Sequence, residues 1–423
     1  MRAIATSGAL LALSLSACGA PGAPGLAGTA ATTAGMVDGQ AIPGEFIVAA
    51  KAGRAPSLAG VSVAGTLDLG REGRYLLVRS PKLTLGAIAA DPAVAGVSPN
   101  RFVKISVAAK GPTTVGFALP DSEDPHYKKQ WYLPRIAADR AWARTRGAGV
   151  VAAVVDTGVD YNHPDLKSSV VGPGYSFVTQ KPDAIDVFGH GTHVAGIIAA
   201  AANNAEGVAG VAPEAKILPI GVLGANGGGN LFAIAAGIKY AADYGTDHKS
   251  HVVINLSLGG PAALDPISLA AGAYATGKGA LLVAAAGNSN GAVGTPARIS
   301  QYYMAVSAID ANDRKASFSN FGPEVSVGAP GVDIFNTTPT YRVPLNDHGY
   351  AQNYAALKGT SMAAPVVAGV CALTWATHPD WTWKQVREQV EKTAMDLGQA
   401  GKDDQFGYGL VQAEAAVAGQ AAR

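Results

Sequence analysis

Cysteine is nearly missing from this chain: 423 residues contain two, Cys18 and Cys371, which excludes a disulfide framework. The scarcity does not assign the chain to a reducing compartment, because a chain of this length buries a core large enough to do without covalent staples. An excess of either charge is missing too. Lys and Arg number 32 against 31 Asp and Glu, a formal net charge of +1, so there is no electrostatic footprint for nucleic acid or for an anionic membrane surface. The apolar run near the N-terminus, Ala9 to Leu15, is too short to cross a bilayer as a helix. What is abundant is glycine, 53 residues, beside 25 prolines, in a sequence that is 48% hydrophobic. That composition predicts a large core with many tight turns, divided between two folded units.

Arg2, the run Ala9 to Leu15, and then Ser16, Ala17 and Cys18 have the layout of a signal peptide over residues 1–18, so export is expected. L-S-A-C-G at Leu15 to Gly19 resembles the lipobox of bacterial lipoproteins. That resemblance implies a lipid anchor at Cys18 on the outer side of a bacterial cell membrane. Ordinary secretion, with a cysteine standing beside the cleavage point, is the alternative, and export follows from either. Residues 19–43, mostly Ala, Gly, Pro and Thr without apolar periodicity, read as a flexible tether.

Residues 44–105 carry strand-like segments (E-F-I-V-A-A, V-S-V-A, Y-L-L-V) and a helical stretch near Leu83 to Ala90, the pattern of a small α+β module. The module holds no cluster of His, Cys or carboxylates and so no chemistry of its own. Residues 106–123, with Gly111-Pro112 and Leu119-Pro120, read as an exposed and cuttable linker. From 124 to 423 the pattern changes. Five near-continuous apolar runs, ending before Asp156 or beginning at Ile217, Val252, Ala280 and Tyr303, read as strands buried on both faces. Helical stretches His193–Ala202, Leu231–Tyr244, Pro266–Gly277 and Pro365–Thr377 fall among them. The expected fold is α/β, a mostly parallel sheet with helices on both faces, and the chemistry of such sheets gathers at the carboxyl ends of the strands.

Three motifs stand at such positions. Asp156 ends its run in V-V-D-T-G-V-D, and alone it reads equally well as a turn acceptor. His190 lies in G-H-G-T-H-V-A-G, three residues from His193; no Glu-containing zinc motif joins the pair, so His193 is better read as a buried structural histidine. Ser361, in G-T-S-M-A-A-P-V-V-A-G-V, sits where a glycine turn feeds an apolar helix, and alone it reads as a cap. Together they supply a nucleophile, a base and a group to orient the base.

The order Asp, His, Ser, each in its glycine-rich context on an α/β frame, resembles the subtilisin family of serine proteases. The resemblance runs from about Asp124 to Ala413. It implies a secreted serine endopeptidase whose catalytic triad is Asp156, His190 and Ser361, with Asn288 in A-A-A-G-N-S-N-G as the oxyanion-hole amide. A noncatalytic peptide binder on the same scaffold is the rival reading, and the intact triad argues against it. A dinucleotide enzyme would need G-x-G-x-x-G after the first strand, where this chain has an aspartate.

The same resemblance assigns substrate binding to Ser257, Leu258 and Gly259 on one side and to Gly227, within L-G-A-N-G-G-G, on the other. Extended substrates would pair with both edges through their main chain, which gives broad specificity. The loop Ser289 to Pro296 carries no acidic residue, so apolar or neutral residues are expected before the cut, over a pocket floor at Gly294. Family resemblance implies structural calcium at Asp124, Asp165 and Asn204, with Glu206 beside them, and no cofactor for catalysis. It also gives the 44–105 module the role of an inhibitory propeptide, the enzyme's own intramolecular partner, released by a cut within 106–123. A monomer acting on protein or peptide substrates is expected, with no nucleic-acid partner.

Overall fold

The computed structural model describes residue 33 and residues 35–58, 61–105, 107 and 122–419. The expected signal segment, Cys18, most of the tether and most of the linker lie outside the described residues.

The N-terminal unit is built from β1 (Ala41–Ala50), β2 (Ser62–Asp68), β3 (Arg74–Arg79), α1 (Leu85–Ala89) and β4 (Val94–Lys104). Its strands run antiparallel in the order β2-β3-β1-β4. Successive side chains of a strand face opposite ways, and β3 shows what this does. Leu76 and Val78 join Val48, Ile88 and Val94 in a small core under α1. Tyr75 and Leu77 point the other way, into the main core of the chain. One face of this sheet therefore belongs to the unit and the other to the domain that follows. Residues 35–40, expected as tether, are folded against it: Met36 is buried with Ile42 and Phe102.

The larger domain opens with two short helices, α2 (Tyr132–Arg135) and α3 (Ala138–Ala141). Its central elements are β5 (Val150–Asp156), β6 (Tyr175–Ser176), α4 (His190–Ala199), β7 (Lys216–Gly221), β8 (Gly228–Asn230), α5 (Leu231–His248) and β9 (His251–Leu256). There follow α6 (Pro266–Gly277), β10 (Leu281–Ala285), β11 (Tyr303–Ile309), β12 (Val325–Pro330), the hairpin β13 (Ile334–Thr337) and β14 (Tyr354–Leu357), then α7 (Thr360–Thr377), α8 (Trp383–Lys392) and α9 (Ala413–Ala418). Seven strands form one parallel sheet in the order β12-β11-β10-β9-β5-β7-β6. Helices α5 and α6 pack together against it, as do α4 and α7, and the N-terminal unit rests on α5 and α6.

All five apolar runs are strands of this sheet, and every residue of β5, β10 and β11 is buried. Two helices begin earlier than the apolar pattern suggests: α4 at His190 and α7 at Thr360, with Pro365 inside the latter. One further pairing joins the units. β4 continues past its own sheet and pairs antiparallel with β8, Val103 opposite Gly229 and Lys104 opposite Gly228.

Candidate active site

Asp156 is the last residue of β5, fully buried, with its main-chain oxygen accepting the N–H groups of Val222 at 2.8 Å and Leu223 at 3.1 Å. Its carboxylate accepts the N–H of Thr157 at 2.7 Å. His190 Nδ1 stands 2.8 Å from Oδ1 and 2.9 Å from Oδ2. A buried carboxylate at Nδ1 places the ring proton there, so Nε2 is the basic nitrogen.

His190 opens α4, whose first turn presses against the Asp156 turn. A Cβ at position 191 would stand 2.0 Å from the carbonyl oxygen of Gly158 and 3.2 Å from Asp156 Cβ, so only glycine fits between the Asp156 and His190 motifs. Sequence reasoning passed over Asp186, which holds this turn. Its Oδ1 accepts from Thr157 Oγ1 (2.8 Å), Phe188 N (2.9 Å) and Gly189 N (2.7 Å), and its Oδ2 from Thr192 N (2.8 Å) and Thr192 Oγ1 (2.6 Å). Burial pushes the Asp186 carboxyl above the usual range, against the pull of these donors. An aspartate shortly before a helix start was the available signal. His193 Nε2–H donates to Ala355 O at 3.1 Å, and burial lowers its pKa to about 3. It is a neutral structural histidine. No group of three or more His, Cys, Asp or Glu is placed to hold a metal ion among the described residues.

Ser361 is the second residue of α7. Pro365, four residues on, has no N–H, so the Ser361 carbonyl loses the intrahelical donor it would otherwise have. Ser257 supplies one: its Oγ donates to Ser361 O at 2.7 Å and accepts from Asn255 Nδ2 at 2.9 Å. The Ser257 side chain thus faces the Ser361 main chain, in the interior.

Asn288 lies just past β10. Its Oδ1 accepts from Thr360 N at 2.8 Å and Thr360 Oγ1 at 2.9 Å, which fixes the amide and leaves Nδ2 without a partner among the described residues. The point where a Cβ of residue 359 would sit is 3.5 Å from Asn288 Nδ2 and 3.6 Å from Ser361 N. Two donor nitrogens therefore lie within 4 Å of one point beside Gly359, one of them a first-turn N–H with no helical acceptor. His190 and Ser361 begin two helices that pack together. The Ser361 hydroxyl makes no hydrogen bond among the described residues, so the structure shows no serine to imidazole bond.

Of the groove residues, Leu258 is buried and Gly259 half-buried, and the main-chain N–H and C=O of Gly259 make no hydrogen bond among the described residues. Gly294 donates to Ala286 O at 2.9 Å, and a Cβ there would meet Gly260 O at 2.4 Å; it is a close approach between two main chains. Asn320, not singled out in the sequence, pins this loop through Ser289 N (2.9 Å), Gly291 N (3.1 Å) and Ala292 O (2.8 Å). On the other side Gly227 O accepts from Ile105 N at 3.0 Å. β8 is thus already paired with the chain's own β4.

The residues given to calcium lie around one loop. Asp124 accepts from Asn203 N at 2.8 Å and Asn204 N at 2.9 Å, while Asp165 accepts from Asn204 Nδ2 at 3.0 Å and Val208 N at 2.9 Å. Glu206 is exposed and contributes its N–H to Asn204 Oδ1 at 3.0 Å. Asp124 Oδ2 also accepts from Ser122 Oγ at 3.3 Å, and Asn204 turns Nδ2 toward Asp165 while its Oδ1 takes the Glu206 N–H; the carboxylate and amide oxygens of Asp124, Asp165 and Asn204 are of the kind a hard cation takes.

Comparison with known proteins fits this geometry. A profile described as the subtilase family matches residues 147–409. Subtilisin Savinase of Lederbergia lenta is 43% identical over 288 residues, 68% of this chain and 97% of that protein. Thermitase of Thermoactinomyces vulgaris is 43% identical over 280 residues, 66% of this chain and 93% of that protein. Among solved structures, fervidolysin from Fervidobacterium pennivorans, described as a keratinolytic enzyme related to subtilisin, superposes with a TM-score of 0.74 at 29% identity. That match covers 90% of this chain and 62% of fervidolysin.

Proposed function

The chain belongs to the subtilase family and is a subtilisin-like serine endopeptidase; from that premise we propose that Asp156, His190, Ser361 and Asn288 carry its chemistry. His190 Nε2 takes the hydroxyl proton as Ser361 Oγ attacks the substrate carbonyl carbon. The oxyanion that forms is held by Asn288 Nδ2 and the Ser361 N–H. Its collapse breaks the C–N bond, with the proton passing from His190 to the leaving amine, and water repeats the sequence on the acyl-enzyme. The observation that carries this reading is the buried Asp156–His190 bond of 2.8 Å, on a helix packed beside the one that presents Ser361.

Broad specificity, with apolar or neutral residues before the cut, follows from edges of main chain and a pocket loop without acidic residues. Residues 44–105 act as an inhibitory propeptide, and the pairing of β4 with β8 supports it. Its release by a cut within 106–123 and export by a signal segment, with or without a lipid at Cys18, complete the reading. Calcium belongs with Asp124, Asp165 and Asn204, where it would join the start of the domain to the loop at 203–208.

The decisive comparison is between wild type and Ser361→Ala, each given casein and a serine-directed phosphonate. Self-processing, casein hydrolysis and covalent label are expected in wild type alone; label or processing in both would end the assignment.

A further inference from the structure

The segment before β1 does more than lead into the sheet. Gly39 N donates to Phe102 O and Phe102 N to Gln40 O, both at 2.8 Å, while Arg101 Nη1 reaches Gly39 O at 2.8 Å. Residues 38–40 therefore run along the free side of β4, opposite β8. The ladder alternates: in an antiparallel pair, every second residue bonds to one neighbour and the residues between face the other way. Ile105 N bonds to Gly227 O, which turns the N–H of Lys104 away from β8. That N–H donates to Asp38 Oδ1 at 3.1 Å.

What lies beyond Asp38 is the second wall of the groove. A Cβ at Gly39 would collide with Pro261 Cγ at 2.1 Å, and one at Gly260 would stand 3.9 Å from both Asp38 Oδ1 and Val103 Cγ2. The Asp38 carboxylate is thus seated between the tail of β4 and the Gly259–Pro261 edge, and Gly259 keeps its main-chain N–H and C=O unpaired. A peptide held by both walls would bond to Gly259, the residue before the Gly260 position that Asp38 Oδ1 approaches. Here the tail is held by one wall, with an aspartate in place of the other.

We propose that Asp38 is a positioning residue for self-cleavage: by accepting the Lys104 N–H it withholds the tail from the Gly259 edge and delays its delivery to the nucleophile. The proposal rests on the protease reading above, and its test separates the two. In the full chain, Asp38→Ala should shorten the time to half-complete self-cleavage at least about threefold. Asp38→Asn, which keeps an acceptor oxygen, should stay near wild type, and hydrolysis of a peptide by the fully processed enzymes should be the same for all. In the full chain carrying Ser361→Ala, where nothing is cut, Asp38→Ala should raise hydrogen exchange at the Lys104 amide at least about tenfold while β1 and β3 remain protected. Equal or longer cleavage times in Asp38→Ala, or unchanged exchange at Lys104, would overturn the proposal. A wild type that never cuts itself would count against the protease reading, and the exchange measurement would still decide on Asp38.

Discussion

At the scale of single residues, the two histidines of G-H-G-T-H show how three positions along a helix separate a ring held against a carboxylate from one buried without a charged partner. His190 faces a carboxylate, whereas His193 faces only a main-chain oxygen and apolar surroundings. Burial holds the His193 pKa at about 3 in the folded chain, against an ordinary histidine value of about 6.5. Between those two pH values the unfolded chain binds a proton that the folded chain refuses, so stability rises with pH there. The contribution is complete above about pH 6.5 and is lost as the pH falls toward 3. His163, also lowered by burial, acts in the same direction; Asp165 and Asp186, raised by burial, oppose it. In urea unfolding between pH 7 and pH 4 in the Ser361→Ala background, His193→Gln, which keeps a donor for Ala355 O, should therefore lose less stability toward acid, or gain more, than its parent. Identical slopes would refute the role given to His193, since every other titrating group is common to both proteins.

Among the elements, α7 is the one whose start depends most on something outside it. Pro365 leaves the Ser361 carbonyl without a helical donor, and the Ser257 hydroxyl takes that place. Ser257→Ala should cost about 1–3 kcal/mol, the penalty for an orphaned buried acceptor, seen by denaturant unfolding in the Ser361→Ala background. In active enzyme it should lower kcat about tenfold with little change in KM, because in the proposed mechanism the first turn of α7 carries both nucleophile and oxyanion donor. Wild-type stability and kcat in the variant would dismiss the link. The same helix marks where sequence reasoning stopped short. An interior proline reads as a helix start, so α7 was expected from Pro365 when it begins at Thr360. The five core strands were legible because both faces of each are buried, which leaves an unbroken apolar run. β12, V-S-V-G-A-P, was not, since Gly and Pro interrupt its pattern. Asp156, His190, Ser361 and Asn288 could be named because their motifs are contiguous. Asp186, Asn320 and Asp38 act through partners far along the chain or through main-chain amides, and no local pattern announces that.

Over the whole molecule, stability must come without covalent ties, since Cys371 is free and buried and is the one cysteine among the described residues. The parallel sheet and its helices share one continuous core, but the chain from Ser122 to Pro125 enters the domain from outside it. Asp124 is held there by two amides of the 203–204 loop, which also reaches Asp165. A cation bound at this meeting point would exist only in the folded chain, because the unfolded chain does not bring Asp124, Asp165 and Asn204 together. Free ligand at one hundred times its Kd then stabilises by about 2.7 kcal/mol. At roughly 2 °C per kcal/mol for a domain of this size, Tm should rise by about 5 °C between EDTA and saturating calcium. The Ser361→Ala chain is the one to melt, so that self-digestion does not intrude. Asp165→Asn should abolish most of that rise, with its own Tm in EDTA as the reference, because an amide can accept from Val208 N but not also from Asn204 Nδ2. A Tm that is the same in calcium and in EDTA would leave the Asp124 and Asp165 cluster as a purely hydrogen-bonded joint.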